Sequence, residues 1–219
     1  MTNMLDEVDT IQREVGSRRI KAGEGKSVVL RRRYDAPIDD VWNALTTPER
    51  IGRWFLPISG DYRVGGHYQF EGNAGGQILS CERPNRLHVT WVYGEVTSDA
   101  DVSEIEVRLT TAGEAATDFE LAHTAVVPDD RWDQFGPGAV GVGWDMGLLG
   151  LTLHLTGGSI DDPLAWQESA EGREFATRSS KAWGEANLAS GADPAAVDRA
   201  VANTTEFYAP IQAPPAAEG

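Results

Sequence analysis

The sequence predicts an α+β fold in which an antiparallel sheet lies against one long apolar helix. Three observations lead there. Residues 67–124 alternate apolar and polar side chains in short runs separated by turn residues. Residues 140–155 form one stretch rich in Leu and Gly, poor in β-branched residues and too interrupted to span a membrane. Ahead of the alternating runs lie two segments with helix-start chemistry, at Pro37 and Pro48. A meander with one apolar face needs a second layer, and only the 140–155 segment is long enough among the later elements.

In chain order, residues 3–15 place Met4, Leu5, Val8, Ile11 and Val15 at helical spacing, which predicts a short amphipathic helix. Gly23 and Gly25 break it. Residues 27–34 read as a strand, with Val28, Leu30, Arg32 and Tyr34 in one phase. Its triple arginine, Arg31-Arg32-Arg33, suggests an edge or outer-face position rather than an anion site. Asp35 is placed to cap a helix with Pro37 in its first turn, and Ile38, Val41, Trp42 and Leu45 form the buried face. Thr47-Pro48 opens a second helix, with Ile51, Trp54 and Phe55 as its apolar side and Pro57 as its stop.

Strands follow at 67–70, 77–82, 86–93, 103–110 and 117–124. Their inward phases carry Tyr68 and Phe70, then Leu87, Val89, Trp91 and Tyr93, then Ile105, Val107 and Leu109, and finally Phe119, Leu121 and His123. In the 140–155 helix, Trp144, Leu148, Leu151 and Leu155 make one stripe and Val142, Met146, Leu149 and Leu153 a second. Two buried strands are the competing reading, because Val142, Trp144, Met146 and Leu148 also alternate. Gly143, Gly147 and Gly150 share a flank, which calls for close approach of another backbone.

Residues 160–219 continue past that helix. Asp162-Pro163 starts a short segment, and an Ala-rich amphipathic helix with Phe175, Ala182, Trp183 and Ala186 ends at Gly191. Asp193-Pro194 begins another that Pro210 stops, and the Pro/Ala tail is expected to be disordered. The second stripe of the long helix needs cover, and the extension is expected to fold back and supply it beside the glycine flank; a second subunit is the rival. The organisation expected is therefore an N-terminal helical segment at 1–26, a sheet-and-helix domain at 27–159 and a helical extension at 160–219.

The net charge of −15 argues against binding nucleic acid or anionic membrane. Residues 1–34 carry eight Lys/Arg against five Asp/Glu, so the acid excess lies in the remainder, spread as a solvated surface. The N-terminus lacks a basic start followed by an apolar run, and Cys81 stands alone, which excludes an internal disulfide; a cytoplasmic location is expected. The four histidines, His67, His88, His123 and His154, show no metal spacing, and no nucleophile elbow, phosphate loop or dinucleotide fingerprint is present. No cofactor, no metal and no catalytic residue is therefore assigned. Cys81 is expected to be a buried, inert thiol and His67 to point outward.

A resemblance joins these pieces. Tyr34-Asp35-Ala36-Pro37-Ile38-Asp39-Asp40-Val41-Trp42 resembles the entry of the START-like (SRPBCC) superfamily, and Pro48 to Phe55 its second short helix. Asp61-Tyr62-Arg63-Val64-Gly65-Gly66-His67-Tyr68 is similar to a stretch of the branch named for the activator of the heat-shock-protein-ninety ATPase, and Gly141-Val142-Gly143-Trp144-Asp145 before the Leu-rich helix completes the match. The resemblance spans about residues 27–156 and implies a helix-grip fold: a curved antiparallel sheet wrapped around the long C-terminal helix, with an apolar cavity between them.

Seven tryptophans are many for this length, and they either fill the core or line a pocket. The pocket reading names Trp42, Trp54, Tyr68, Phe70, Trp91, Tyr93, Phe119, Leu121, His123, Trp144 and Leu148 as ligand-binding residues. Within it, His123 is either a hydrogen-bonded core histidine or a donor facing the ligand. The function expected is carriage or sensing of an apolar or aromatic small molecule. A cyclase- or aromatase-like enzyme using His123, and an interaction protein resembling the chaperone-ATPase activators, are the alternatives; a homodimer and a chaperone partner are left open.

Overall fold

A computed structural model describes residues 3–98 and 101–210. Eight antiparallel strands form one sheet: β1 (Gln12–Ile20), β2 (Gly23–Tyr34), β3 (Ile58–Gly60), β4 (His67–Phe70), β5 (Gly75–Glu82), β6 (Arg86–Trp91), β7 (Ser103–Thr111) and β8 (Thr117–Ala125). Their spatial order is β1-β2-β8-β7-β6-β5-β4-β3, so the two short helices α1 (Ile38–Thr46) and α2 (Pro48–Trp54) lead the chain from the middle of the sheet to its far edge. The sheet faces the long helix α4 (Gly138–Leu155), which follows the short α3 (Asp129–Phe135). Three further helices close the chain: α5 (Pro163–Glu168), α6 (Ala170–Ala189) and α7 (Pro194–Tyr208). Asp162, Ser169 and Asp193 cap them, each side chain accepting a backbone N–H three residues on. Among the described residues no helix is long and apolar enough to cross a membrane.

The N-terminal segment departs from its helical spacing. Residues 6–10 make one 3-10 turn, and β1 pairs with β2 from Gln12↔Arg31 to Ile20↔Gly23. Nine paired residues outweigh a weak local period. Val8 and Ile11 are still buried, as the spacing required, but by tertiary packing. This extra strand also moves the triple arginine off the edge: β2 sits between β1 and β8. Arg31 pairs with Glu14 and Glu120 and Arg33 with Asp118, whereas Arg32 points inward to Glu7 at 2.9 Å, with its guanidinium 4.5 Å from the Tyr34 ring centre.

Helix α4 is covered on both sides. Leu148 and Leu151 belong to the main core under the sheet, and Leu149 and Leu153 pack with Phe175 of α6 and Val8 of the N-terminal turn. The extension thus lies against the second stripe, and no second subunit is needed to cover it. The glycine flank is used differently from expectation. A Cβ on Gly150 would sit 2.4 Å from the Trp54 carbonyl oxygen, so that flank receives α2 rather than the alanines of α6. The close contact with α6 is instead at Gly141, where a Cβ would meet the Trp183 indole at 2.3 Å. The disorder expected for the tail concerns residues outside those described.

At the seam of α4, β1 and α6 lies Asp145, fully buried. Its Oδ2 accepts Arg13 Nε at 3.1 Å, Arg13 Nη2 at 2.9 Å, Ser179 Oγ at 2.5 Å and Trp183 Nε1 at 3.2 Å. A buried charge that loses its partner is strongly destabilising. Asp145→Ala is expected to cost about 3–5 kcal/mol, read as a lowered urea midpoint. The double variant Arg13→Met/Asp145→Leu, which leaves neither charge orphaned, should recover most of that loss. A midpoint unchanged in the single variant would mean that the pair does not hold the three segments together.

Candidate ligand cavity

Between the sheet and α4 is a cavity of about 180 Å³. Aromatic rings form much of its wall. Phe55 meets Phe70 edge-on at 5.0 Å, Phe70 packs 5.6 Å from both Tyr68 and Trp91, and Trp91 lies 5.2 Å from Trp144. Aliphatic groups from β5 to β8, including Ile78, Val89, Val107 and Leu121, complete the sheet side, and Leu148 with Gly147 completes the helix side.

Most polar atoms of the lining are already occupied. Trp54 Nε1 donates to the Ala44 carbonyl at 3.0 Å, the Tyr68 hydroxyl to the Thr90 carbonyl at 2.7 Å, and the Tyr62 hydroxyl to the Ile58 carbonyl at 3.0 Å. Thr46 Oγ1 donates to the Trp42 carbonyl at 2.8 Å. Burial also holds the Tyr68 phenol well above its ordinary range, so it stays protonated. A cavity with rings for walls, in which among the described residues only the Trp91 indole N–H and the Cys81 thiol are left without a partner, favours an apolar guest.

Of the residues named from sequence, eight come together here: Trp54, Tyr68, Phe70, Trp91, Phe119, Leu121, Trp144 and Leu148. Three do not. Trp42 is buried in the core through α1 and fills space rather than lining it. Tyr93 is 73% exposed, because β6 ends at Trp91 and Gly94 takes a positive φ of 85°, so the inward phase stops two residues early. His123 is buried, but it faces away from the cavity, behind Trp144, toward a groove at the other end of the sheet.

His123 has a defined bonding state. Trp144 Nε1 donates to His123 Nδ1 at 3.0 Å, so the ring proton must sit on Nε2, which lies 2.8 Å from Ser103 Oγ. Ser103 Oγ in turn donates to the Trp91 carbonyl at 2.7 Å. The chain of bonds runs from the indole of Trp144 to the main chain of Trp91 and fixes the Trp144 ring. Burial lowers the His123 pKa to about 4, so the ring is neutral at physiological pH. This is the hydrogen-bonded core histidine; neither nitrogen is free for proton transfer to a guest.

Cys81 corrects a second expectation. It is exposed and lines the cavity edge rather than being buried in the phase of Gln77 and Leu79. The pairing of β5 with β6 slips between Ile78 and Ser80, a bulge that brings Ile78 and Cys81 to one side. Partial burial pushes its thiol up, so it is not an activated nucleophile. His67 is exposed on the outer face, as its phase required.

An antiparallel sheet gripping a long C-terminal helix, with an apolar cavity between the two, defines a helix-grip protein of the START-like (SRPBCC) class. Within that class the chain belongs to the family described as Activator of Hsp90 ATPase homolog 1-like protein, whose model matches residues 35–155. It is similar to CalU16 from Micromonospora echinospora. The crystal structure of that protein is 38% identical with a TM-score of 0.63, the match covering 80% of this chain and 97% of CalU16. Its solution structure is 37% identical with a TM-score of 0.67, covering 83% and 97%. Both matches reach well beyond the stretch the family model covers. MLL2253 from Mesorhizobium loti, 22% identical with a TM-score of 0.52, covers 61% of this chain and 99% of its own, and shares the fold. No curated protein matches the chain.

The depressed His123 pKa sets a pH dependence. Between about pH 6.5 and about pH 4 the unfolded chain takes up a proton that the folded one refuses. The stability due to the neutral ring is complete above pH 6.5 and is lost as pH falls toward 4, a change of about 3 kcal/mol. Denaturation of the wild type and of His123→Ala across this range is expected to show that slope only in the wild type. Equal slopes would place the His123 ring in contact with water.

Proposed function

We propose that the protein is a cytoplasmic carrier or sensor that binds an apolar or aromatic small molecule in the cavity between the sheet and α4. The observation that carries this reading is the cavity itself: it stays open although rings surround it, and most of its polar groups are already bonded to backbone carbonyls. An empty apolar cavity of roughly 150 Å³ can hold benzene. At about 180 Å³ this one suits a guest, or part of a guest, of one or two rings. The fixed bonds from Trp144 through His123 and Ser103 to Trp91 support binding without rearrangement. A lone free cysteine suits a reducing compartment.

The cyclase-like alternative gains no support from the position of His123, whose two nitrogens are engaged by the Trp144 indole and the Ser103 hydroxyl. The reading is tested with indole as probe, followed by calorimetry or by shifts of the Leu148 and Leu121 methyl signals. A guest of that size is expected to bind with a Kd of about 0.1–1 mM. Leu121→Trp, which fills the cavity, should abolish binding while preserving the fold. Binding unchanged in that variant, or no saturable binding to the wild type, would overturn the proposal.

A further inference from the structure

Beyond the inner cavity, a second and larger concavity opens at the other end of the sheet. It holds about 770 Å³, against about 180 Å³ inside, which places it within the range of roughly 300–1,000 Å³ typical of ligand pockets. Its floor is Val28 and His123, the latter forming the back of the Trp91–Trp144 wall, so the two concavities share one partition. Tyr93 stands on one side at 73% exposure and Phe207 of α7 on the other at 68%, with Val140 beside it at 41%. Large apolar side chains left in water around a concavity mark a binding surface.

The extension contributes Phe207 to the rim of this groove. Asn203 Nδ2 donates to the Gln134 carbonyl at 2.8 Å, Thr204 Oγ1 to the Phe135 carbonyl at 2.9 Å and the Tyr208 hydroxyl to the Ala139 carbonyl at 2.9 Å. These three bonds tie α7 to the α3–α4 junction and fix Phe207 beside Phe135, ring centres 6.2 Å apart. Opposite, the Asp101 carboxylate accepts the Thr97 and Ser98 backbone N–H groups and the Thr97 hydroxyl within 2.8 Å.

The charges point to the ligand's chemistry. Lys26 and Arg131 line the groove, and among the described residues neither is in an ion pair; Lys26 lies 5.4 Å from the centre of the Trp132 ring. Two acids also line it: Asp101, whose carboxylate keeps its charge but turns to the N–H and hydroxyl groups of Thr97 and Ser98, and Glu95. Two unpaired cations beside exposed aromatic rings match a flat, multi-ring molecule with an anionic substituent. We propose that this groove is a second binding site, completed by the extension, for an aromatic acid too large for the inner cavity.

The probe is anilinonaphthalene sulfonate, a three-ring aromatic anion, titrated by fluorescence into the full chain. Tyr93→Ser/Phe207→Ser should weaken its binding about tenfold or more, equivalent to about 1.4 kcal/mol, and Lys26→Gln/Arg131→Gln should weaken it and flatten its salt dependence. Both double variants alter exposed side chains, so unchanged melting temperatures are expected. Leu121→Trp should leave dye binding intact while blocking indole. If indole fails to bind but the dye responds as stated, the inner-cavity reading falls and this one stands. Dye binding that survives both double variants, or that Leu121→Trp abolishes, would overturn the proposal. So would a wild-type dimer that Tyr93→Ser/Phe207→Ser dissociates, since the groove would then be covered by a second copy.

Discussion

Four hydrogen bonds converge on one carboxylate oxygen, Oδ2 of Asp145, in the middle of α4. Two come from Arg13 on β1 and two from α6, so three segments far apart in sequence meet at one buried charge. A charge taken out of water is tolerated only when its partners are in place. The pair is therefore less a source of stability than a condition on the fold: β1, α4 and α6 must dock together or leave a charge exposed to an apolar core. Gly141, one turn back on the same helix, is the steric counterpart. Any side chain there would strike Trp183 and push α6 away.

That clamp decides which face of α4 is left to form a cavity. With Leu149 and Leu153 sealed by Phe175 and Val8, the opposite face, carrying Trp144 and Leu148, borders open volume under the sheet. The volume persists because its walls are tethered. Trp144 cannot swing inward without abandoning the acceptor on His123, and the Trp91 ring is wedged among Phe55, Phe70 and Trp144 while Ser103 holds its main chain. The same partition closes the back of the outer groove, to whose rim α7 adds Phe207.

The sheet and its helix could be read from the chain because their signals are local and repeated. Alternation located β4 and most of β5 to β8, and the Leu-rich run located α4. Wherever a long-range partner made the decision, local reading fell short. Residues 12–15 end the helical spacing and instead open β1, because β2 offers the strand nine partners. Arg32 sits inward among apolar positions because Glu7 meets it there. Cys81 changed faces through a bulge that carries no composition signal, and Tyr93 lost its inward phase where Gly94 turns the chain. The cavity was legible to the same degree: strand residues lie where their phase put them up to the last paired position, Phe70 and Trp91 included, and Tyr93, beyond the end of β6, does not. The role of Asp145 could not be seen, since its partners lie 132 and 34 residues away, although an acid set within an apolar helix was a signal worth following.

The central claim is that β1, α4 and α6 form one cooperative unit around that carboxylate. Native-state hydrogen exchange tests it most directly, because it reads the opening free energy of each segment separately. The slowest amides of the three segments should share one opening free energy to within about 1 kcal/mol. Amides of α6 or β1 that open several kcal/mol more easily, while α4 keeps its protection, would contradict the account.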